Sequence, residues 1–149
     1  MTEDPALKAA LLLNFEKVYS GLMWNEQGGR WYWRGVVDPK AKPPKLIWKD
    51  DLNTFDACEF GLDVMLNAYA FTGDKKYLDR AVEAMNNQLQ VLDNYGLLLE
   101  DHAGEPSVNV YAFAAKELYR LFDYTGEEKW RENGTKILEA MLMSFMHLD

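Results

Sequence analysis

Apolar positions recur at helical spacing in five stretches of this chain, and polar residues fall where those helices stop and start. The first stretch places Leu7, Leu11, Phe15, Val18 and Leu22 on one face. With Asp4 as N-cap and Pro5 in the first turn, it predicts a helix to about Met23. A second stretch, from about Thr54 to Phe71, is apolar or small on most sides. Its polar residues Asp56, Glu59, Asp63 and Asn67 form a single line, because offsets of 3, 7 and 11 return to one helix face. That composition predicts an inner helix surrounded by protein, Phe60 included, with one polar stripe. The third stretch, about Lys75 to Leu92, turns Leu78, Val82, Met85, Leu89 and Leu92 inward and charged or amide residues outward, as an outer helix does. After a polar loop the division repeats. An inner helix runs from near Pro106-Ser107 to about Tyr124, and an outer helix carries Trp130, Ile137, Leu138, Met141, Leu142 and Phe145 on its buried side. Met143 falls off that stripe and marks a contact surface.

The two inner–outer pairs are copies of one unit. Asn67-Ala68-Tyr69-Ala70-Phe71-Thr72-Gly73-Asp74 and Arg120-Leu121-Phe122-Asp123-Tyr124-Thr125-Gly126-Glu127 lie 53 positions apart and share one logic. The glycine accepts the left-handed conformation that stops a helix, and the acid suits the positive end of the next. The same offset maps Asp56, Glu59, Asp63 and Asn67 onto Asn109, Ala112, Lys116 and Arg120, which makes Asp63 and Lys116 expected partners across neighbouring helices. Units of this kind bury their apolar faces by stacking on one another.

Between the first two helices, Asn25 to Gly29 is a turn signal, and Arg30-Trp31-Tyr32-Trp33-Arg34 with Val36 and Val37 reads as a strand. Asp38 to Pro44 breaks the pattern and Leu46-Ile47-Trp48 pairs back. The expected fold is therefore all-α: a five-helix open array of helical hairpins, with a small β-hairpin inserted near residues 30–48, in a single domain over residues 1–149.

Composition narrows the function classes. A net charge of −8, from 24 acidic and 16 basic residues, repels phosphate backbones and anionic membranes, so neither nucleic acid nor membrane is an expected partner. Cys58 is alone, and the start Met1-Thr2-Glu3-Asp4-Pro5 carries no basic leader, so a cytoplasmic location is expected. Phosphate loop, nucleophile elbow, zinc and calcium signatures are all missing, and no cofactor or metal is expected.

Inner and outer helices alternating through Thr-Gly-Asp/Glu corners resemble the α/α toroids, the six-hairpin glycosidase-like group. The segment Gly28 to Trp33, the turn at Asp38 and the inner helix at Asp56 are similar to the N-acylglucosamine 2-epimerase type. Glu105 to Asn109 with Leu118, Arg120-Leu121, Thr125-Gly126 and Trp130 is similar to the toroid fused behind a thioredoxin domain. The resemblance implies a substrate funnel over the N-termini of the inner helices, gathering Asp56, Glu59, Glu105 and Asn109. Five helices close no ring, so the apolar ends need a second copy or a partner protein. His102 and His147 are the only histidines, too few for the epimerase's set, and no Cys-x-x-Cys is present.

Within that funnel Asp56 and Glu105 are candidate catalytic carboxylates, which glycoside hydrolysis places about 5 Å apart for retention or about 6.5–9.5 Å apart for inversion. His102, beside Glu100 and Asp101, is a candidate general base. Trp31, Trp33 and Trp48 offer flat faces to a sugar, and Arg34, with Arg30, offers a fork to the carboxylate of a uronic or sialic acid. Each has a plainer reading, since acids cap helices and tryptophans fill cores. Two functions stay open: a carbohydrate-binding or carbohydrate-processing protein, truncated or catalytically weak, and a non-enzymatic helical-repeat module for self-association or protein–protein contact. Any enzyme here would be of the glycoside hydrolase or sugar epimerase kind.

Overall fold

The computed structural model describes residues 4–21, 24–31, 34–38, 40–43, 45–49, 56–95 and 107–145. In chain order the elements are α1 (Pro5–Ser20), β1 (Trp24–Asn25), β2 (Arg30–Trp31), β3 (Arg34–Asp38), β4 (Lys45–Lys49), α2 (Asp56–Thr72), α3 (Lys75–Tyr95), α4 (Val108–Thr125) and α5 (Glu128–Phe145). Five helices and a few short strands make the chain all-α, as its periodicity requires. None of the described helices is long and apolar enough to cross a membrane.

Helix ends follow the local chemistry. Asp4 accepts hydrogen bonds from the backbone N–H groups of Ala6 and Leu7, at 2.9 and 3.4 Å, and Pro5 fills the first helical position. The helix stops at Ser20, short of Met23, because Gly21 turns extended, and a Cβ there would lie 1.8 Å from the Lys17 carbonyl oxygen.

The two Thr-Gly corners superimpose bond for bond. Gly73 and Gly126 have φ of 70° and 71° and donate to the carbonyls of Tyr69 and Phe122, both at 2.8 Å. The hydroxyls of Thr72 and Thr125 donate to the carbonyls of Ala68 and Leu121, both at 2.7 Å. The same hydroxyls accept from the backbone N–H groups of Asp74 and Glu127, at 3.1 and 3.2 Å. Each threonine thus ties the end of one helix to the start of the next, which fixes the angle of the hairpin.

Helix α2 packs on α1, α3 and α4, and α4 packs on α2 and α5. Ascending pairs Asp63–Lys116 and Asn67–Arg120 show that α2 and α4 run side by side and parallel, while α3 and α5 return antiparallel on their own partners. Buried residues of all five helices form one cluster with Trp24 and Trp31, and Met65, Met85, Tyr111, Leu118 and Trp130 are fully enclosed in it.

Three expectations need correction. The strand expected at Arg30–Arg34 is two strands in different ribbons: β1 pairs with β2, while β3 pairs with β4 in the register Gly35 to Trp48 and Val36 to Ile47. Trp31 lies against α2. Its indole N–H donates to the Val18 carbonyl at 2.8 Å, its ring meets Trp24 edge-on with centroids 4.9 Å apart, and Gly61 leaves the space beneath it. Second, Phe60 is not enclosed but 59 % exposed. Third, the apolar stripes of the first and last helices run past the core: Leu7, Leu142 and Phe145 are exposed, with Phe15, Trp130 and Ile137 buried.

Candidate functional site

The parallel register of α2 and α4 brings the two polar stripes together. Asp63 Oδ1 accepts from Lys116 Nζ at 3.0 Å and from Arg120 Nη1 at 2.9 Å. Asn67 Oδ1 accepts from Arg120 Nη2 at 2.8 Å, and Asn67 Nδ2 donates to Asp63 Oδ2 at 3.2 Å. Asp63 and Lys116, and Asn67 and Arg120, are each a 53-offset pair, so the repeat written in the sequence becomes a ladder of contacts in space.

Beneath the ladder sits Glu117, whose side chain is 0 % exposed. Lys116 Nζ lies 2.8 Å from its Oε1 and Arg120 Nη1 lies 3.1 Å from its Oε2, so both cations bridge one surface and one buried carboxylate. Removal from water pushes the Glu117 carboxyl above the usual range, against the pull of Lys116 and Arg120. Asp63 goes the other way. Partial burial raises it, but the hydrogen bond and charge of Lys116 and the charge of Arg120 outweigh that and hold it below the usual range.

A phenyl ring stands beside the network on each helix. Phe60 lies three residues before Asp63, and Phe113, 39 % exposed, lies three residues before Lys116, whose ammonium is 4.9 Å from the Phe113 ring centroid. The two phenylalanines are themselves a 53-offset pair. Asn109, exposed and one turn earlier on α4, continues the same face.

Of the residues expected from sequence to form a site, Asn109 therefore joins this face, and Trp31 leaves it. At 3 % exposure Trp31 has no face free to stack on a ligand. Asp56 opens α2 at the place where Asn109 stands near the start of α4, Glu59 follows it on the same helix, Arg34 lies on β3 and Trp48 on β4; the side chains of these four lie outside the described residues. Trp33, His102 and Glu105 lie outside the described residues altogether. Arg30 is buried and donates to the buried side-chain oxygen Oε1 of Gln88 at 3.3 Å, so it holds the β1–β2 ribbon on α3. Among the described residues no group of three or more His, Cys, Asp or Glu side chains could hold a metal ion.

Sequence reasoning missed Glu117 and the two phenylalanines. Glu117 takes the position that Val64 occupies one repeat earlier, and an acid in an apolar slot beside Lys116 and Arg120 was the available signal. Phe60 and Phe113 recur at the repeat interval on the polar side of their helices, which periodicity alone would have flagged.

Three other features lie away from this face. A groove of about 550 Å³ runs between the corners, lined by Tyr69, Leu78, Asp79, Val82, Tyr124 and Glu127 among others, with the two tyrosine rings edge-on at 5.1 Å. On the matching surface of the second hairpin, lined by Tyr119, Arg131, Glu132, Thr135 and Lys136, the places of Leu78 and Val82 are taken by Arg131 and Thr135. At the α1–α3 contact Glu16 accepts from Lys76 Nζ at 2.6 Å and from the Tyr77 hydroxyl at 2.5 Å, and these bonds hold its carboxyl below the usual range. Compared with known proteins, the chain matches no family model, no curated protein and no solved structure.

Proposed function

We propose that the chain is a carbohydrate-binding helical-repeat protein of the α/α-toroid kind, and that its ligand lies across the α2–α4 face. The observation that carries this reading is the exposure of Phe60 and Phe113 at equivalent repeat positions beside the Asp63–Lys116–Asn67–Arg120 ladder. The flat C–H faces of a sugar pack well on exposed aromatic rings. Amide, guanidinium, ammonium and carboxylate groups within one helical turn supply both donors and acceptors for its hydroxyls. The residues assembled on this face bind and orient.

A glycan array on the parent chain, repeated with Phe60→Ala and Phe113→Ala, tests the reading. Each variant should weaken the bound glycans about tenfold, the loss of roughly one stacking contact of 1–1.5 kcal/mol. An array with no signal, or a signal indifferent to both rings, rejects it. Trp31→Ala belongs to the core and reports on folding instead.

The exposed Leu7 and Leu13 of α1 and Leu142, Met143 and Phe145 of α5 favour a second reading, in which the chain is an association module covering its helix ends with a copy or another protein. Sedimentation at rising concentration checks it: a monomer throughout, unchanged by Met143→Glu, would remove self-association.

A further inference from the structure

We infer that the α2–α4 face selects uncharged carbohydrates and discriminates against uronic and sialic acids. This rests on the carbohydrate reading and goes beyond it, because the charge arrangement of the face, rather than its rings, decides the ligand class.

The four ionisable groups of the ladder cancel. Lys116 and Arg120 supply two positive charges, Asp63 and Glu117 two negative ones, and every cation already meets both anions. An incoming carboxylate finds no unmatched cation. To take Arg120 Nη1 it must displace Asp63 or Glu117, and displacing Glu117 strands a charge that is wholly buried; on the remaining N–H groups it meets cations whose charge the two acids already offset. Displacing Asp63 leaves that carboxylate with Lys116 alone in place of the two cations that hold it ionised. An uncharged hydroxyl requires neither exchange. It uses what the ladder leaves over: the remaining N–H of Asn67, the remaining protons of Lys116 and Arg120, and the unshared lone pairs of Asp63. Of the two arginines the sequence offered to an acid sugar, Arg30 is buried against Gln88 and takes no part, and the Arg34 side chain lies outside the described residues. The chain's overall charge of −8 acts in the same direction on any anion approaching from a distance.

The test is one glycan array of matched neutral and acidic oligosaccharides probed with the parent chain, Phe113→Ala, Asp63→Asn and Ala70→Lys. Ala70 is exposed on α2 beside Asn67 and its counterpart one repeat on is Asp123, so Ala70→Lys is made in an Asp123→Asn background to add a cation without an acid opposite it; it serves as the second variant should Asp63→Asn lose its fold. The parent should bind neutral glycans at least tenfold more tightly than acidic ones of the same backbone. Both charge variants should narrow that ratio by gaining acidic ligands, with the Phe113→Ala loss common to all. Acidic glycans bound as well as neutral ones, and lost on Phe113→Ala, would overturn the selectivity while leaving the carbohydrate reading in place. Absence of any glycan sensitive to Phe113 would overturn both.

Discussion

Replacing Gly61 by alanine sets two principles against each other with opposite signs. On propensity alone the change stabilises a helix interior by up to about 1 kcal/mol. Packing reverses this. A Cβ on Gly61 would lie 2.1, 2.2 and 2.5 Å from three ring carbons of Trp31, far inside van der Waals contact. The indole cannot swing away freely, since its N–H is held by the Val18 carbonyl and its face by Trp24. If α2 and the ribbon shift apart to accommodate the methyl, the cost is that of overpacking, about 1–3 kcal/mol. If Trp31 is expelled instead, burial of about 150–250 Å² is lost, which at ~25 cal/mol per Å² is about 4–6 kcal/mol, together with a hydrogen bond worth about 1 kcal/mol. Urea denaturation followed by far-UV circular dichroism measures the total, and tryptophan emission tells the two routes apart, because an expelled Trp31 shifts to the red. In a Trp31→Leu background the cost of Gly61→Ala should shrink markedly. A Gly61→Ala protein as stable as its parent would refute the docking of the ribbon on α2.

The corners offer a cleaner case: nothing lies within 4 Å of a Cβ on Gly73 or Gly126, so Gly73→Ala and Gly126→Ala should each lose about 1–2 kcal/mol through the left-handed backbone alone. Urea melts that differ by more than about 1 kcal/mol between the two would show that the corners are not equivalent. In the ladder, Lys116→Ala and Arg120→Ala each strip the buried Glu117 of a cation, so each should cost about 3 kcal/mol, well above the roughly 0–1 kcal/mol of an exposed pair. Adding Glu117→Gln to Arg120→Ala should recover part of that loss, and a further decline would contradict the stranded-charge account. Titration separates the acids by sign. Glu16 is held low, so its contribution is complete above the ordinary value of 4.5 and disappears as pH falls through its lower folded value; Glu16→Gln should therefore match the parent in strong acid and fall behind it near neutrality. Glu117 is held high, so ionising it costs stability as pH rises from 4.5 through its folded value, and Glu117→Gln should gain on the parent over that rise. Melts at several pH values across the acid range would expose either sign being reversed.

Whatever depends on residues close in sequence was legible without coordinates. The Thr-Gly corners follow from a glycine tolerance, a hydroxyl within reach of two backbone groups and an acid at a helix start, all inside seven residues. The pairing of Asp63 with Lys116 was legible for a different reason. A repeat stacked in register places equivalent positions side by side, so the 53-residue offset is itself a contact prediction. Tertiary structure alone decided which helix faces are covered. Periodicity groups Phe60 with Asp63 and Asn67, and Phe113 with Lys116 and Arg120, but only the packing of α2 against α4 leaves both rings in solvent while sealing Glu117 beneath them. It likewise sent Trp31 into the core rather than to a ligand, because Gly61 opens a slot that no local pattern announces. Helical spacing specifies which side chains share a face; burial, and with it every charge shift and every exposed ring at this site, is a property of the neighbour that the face meets.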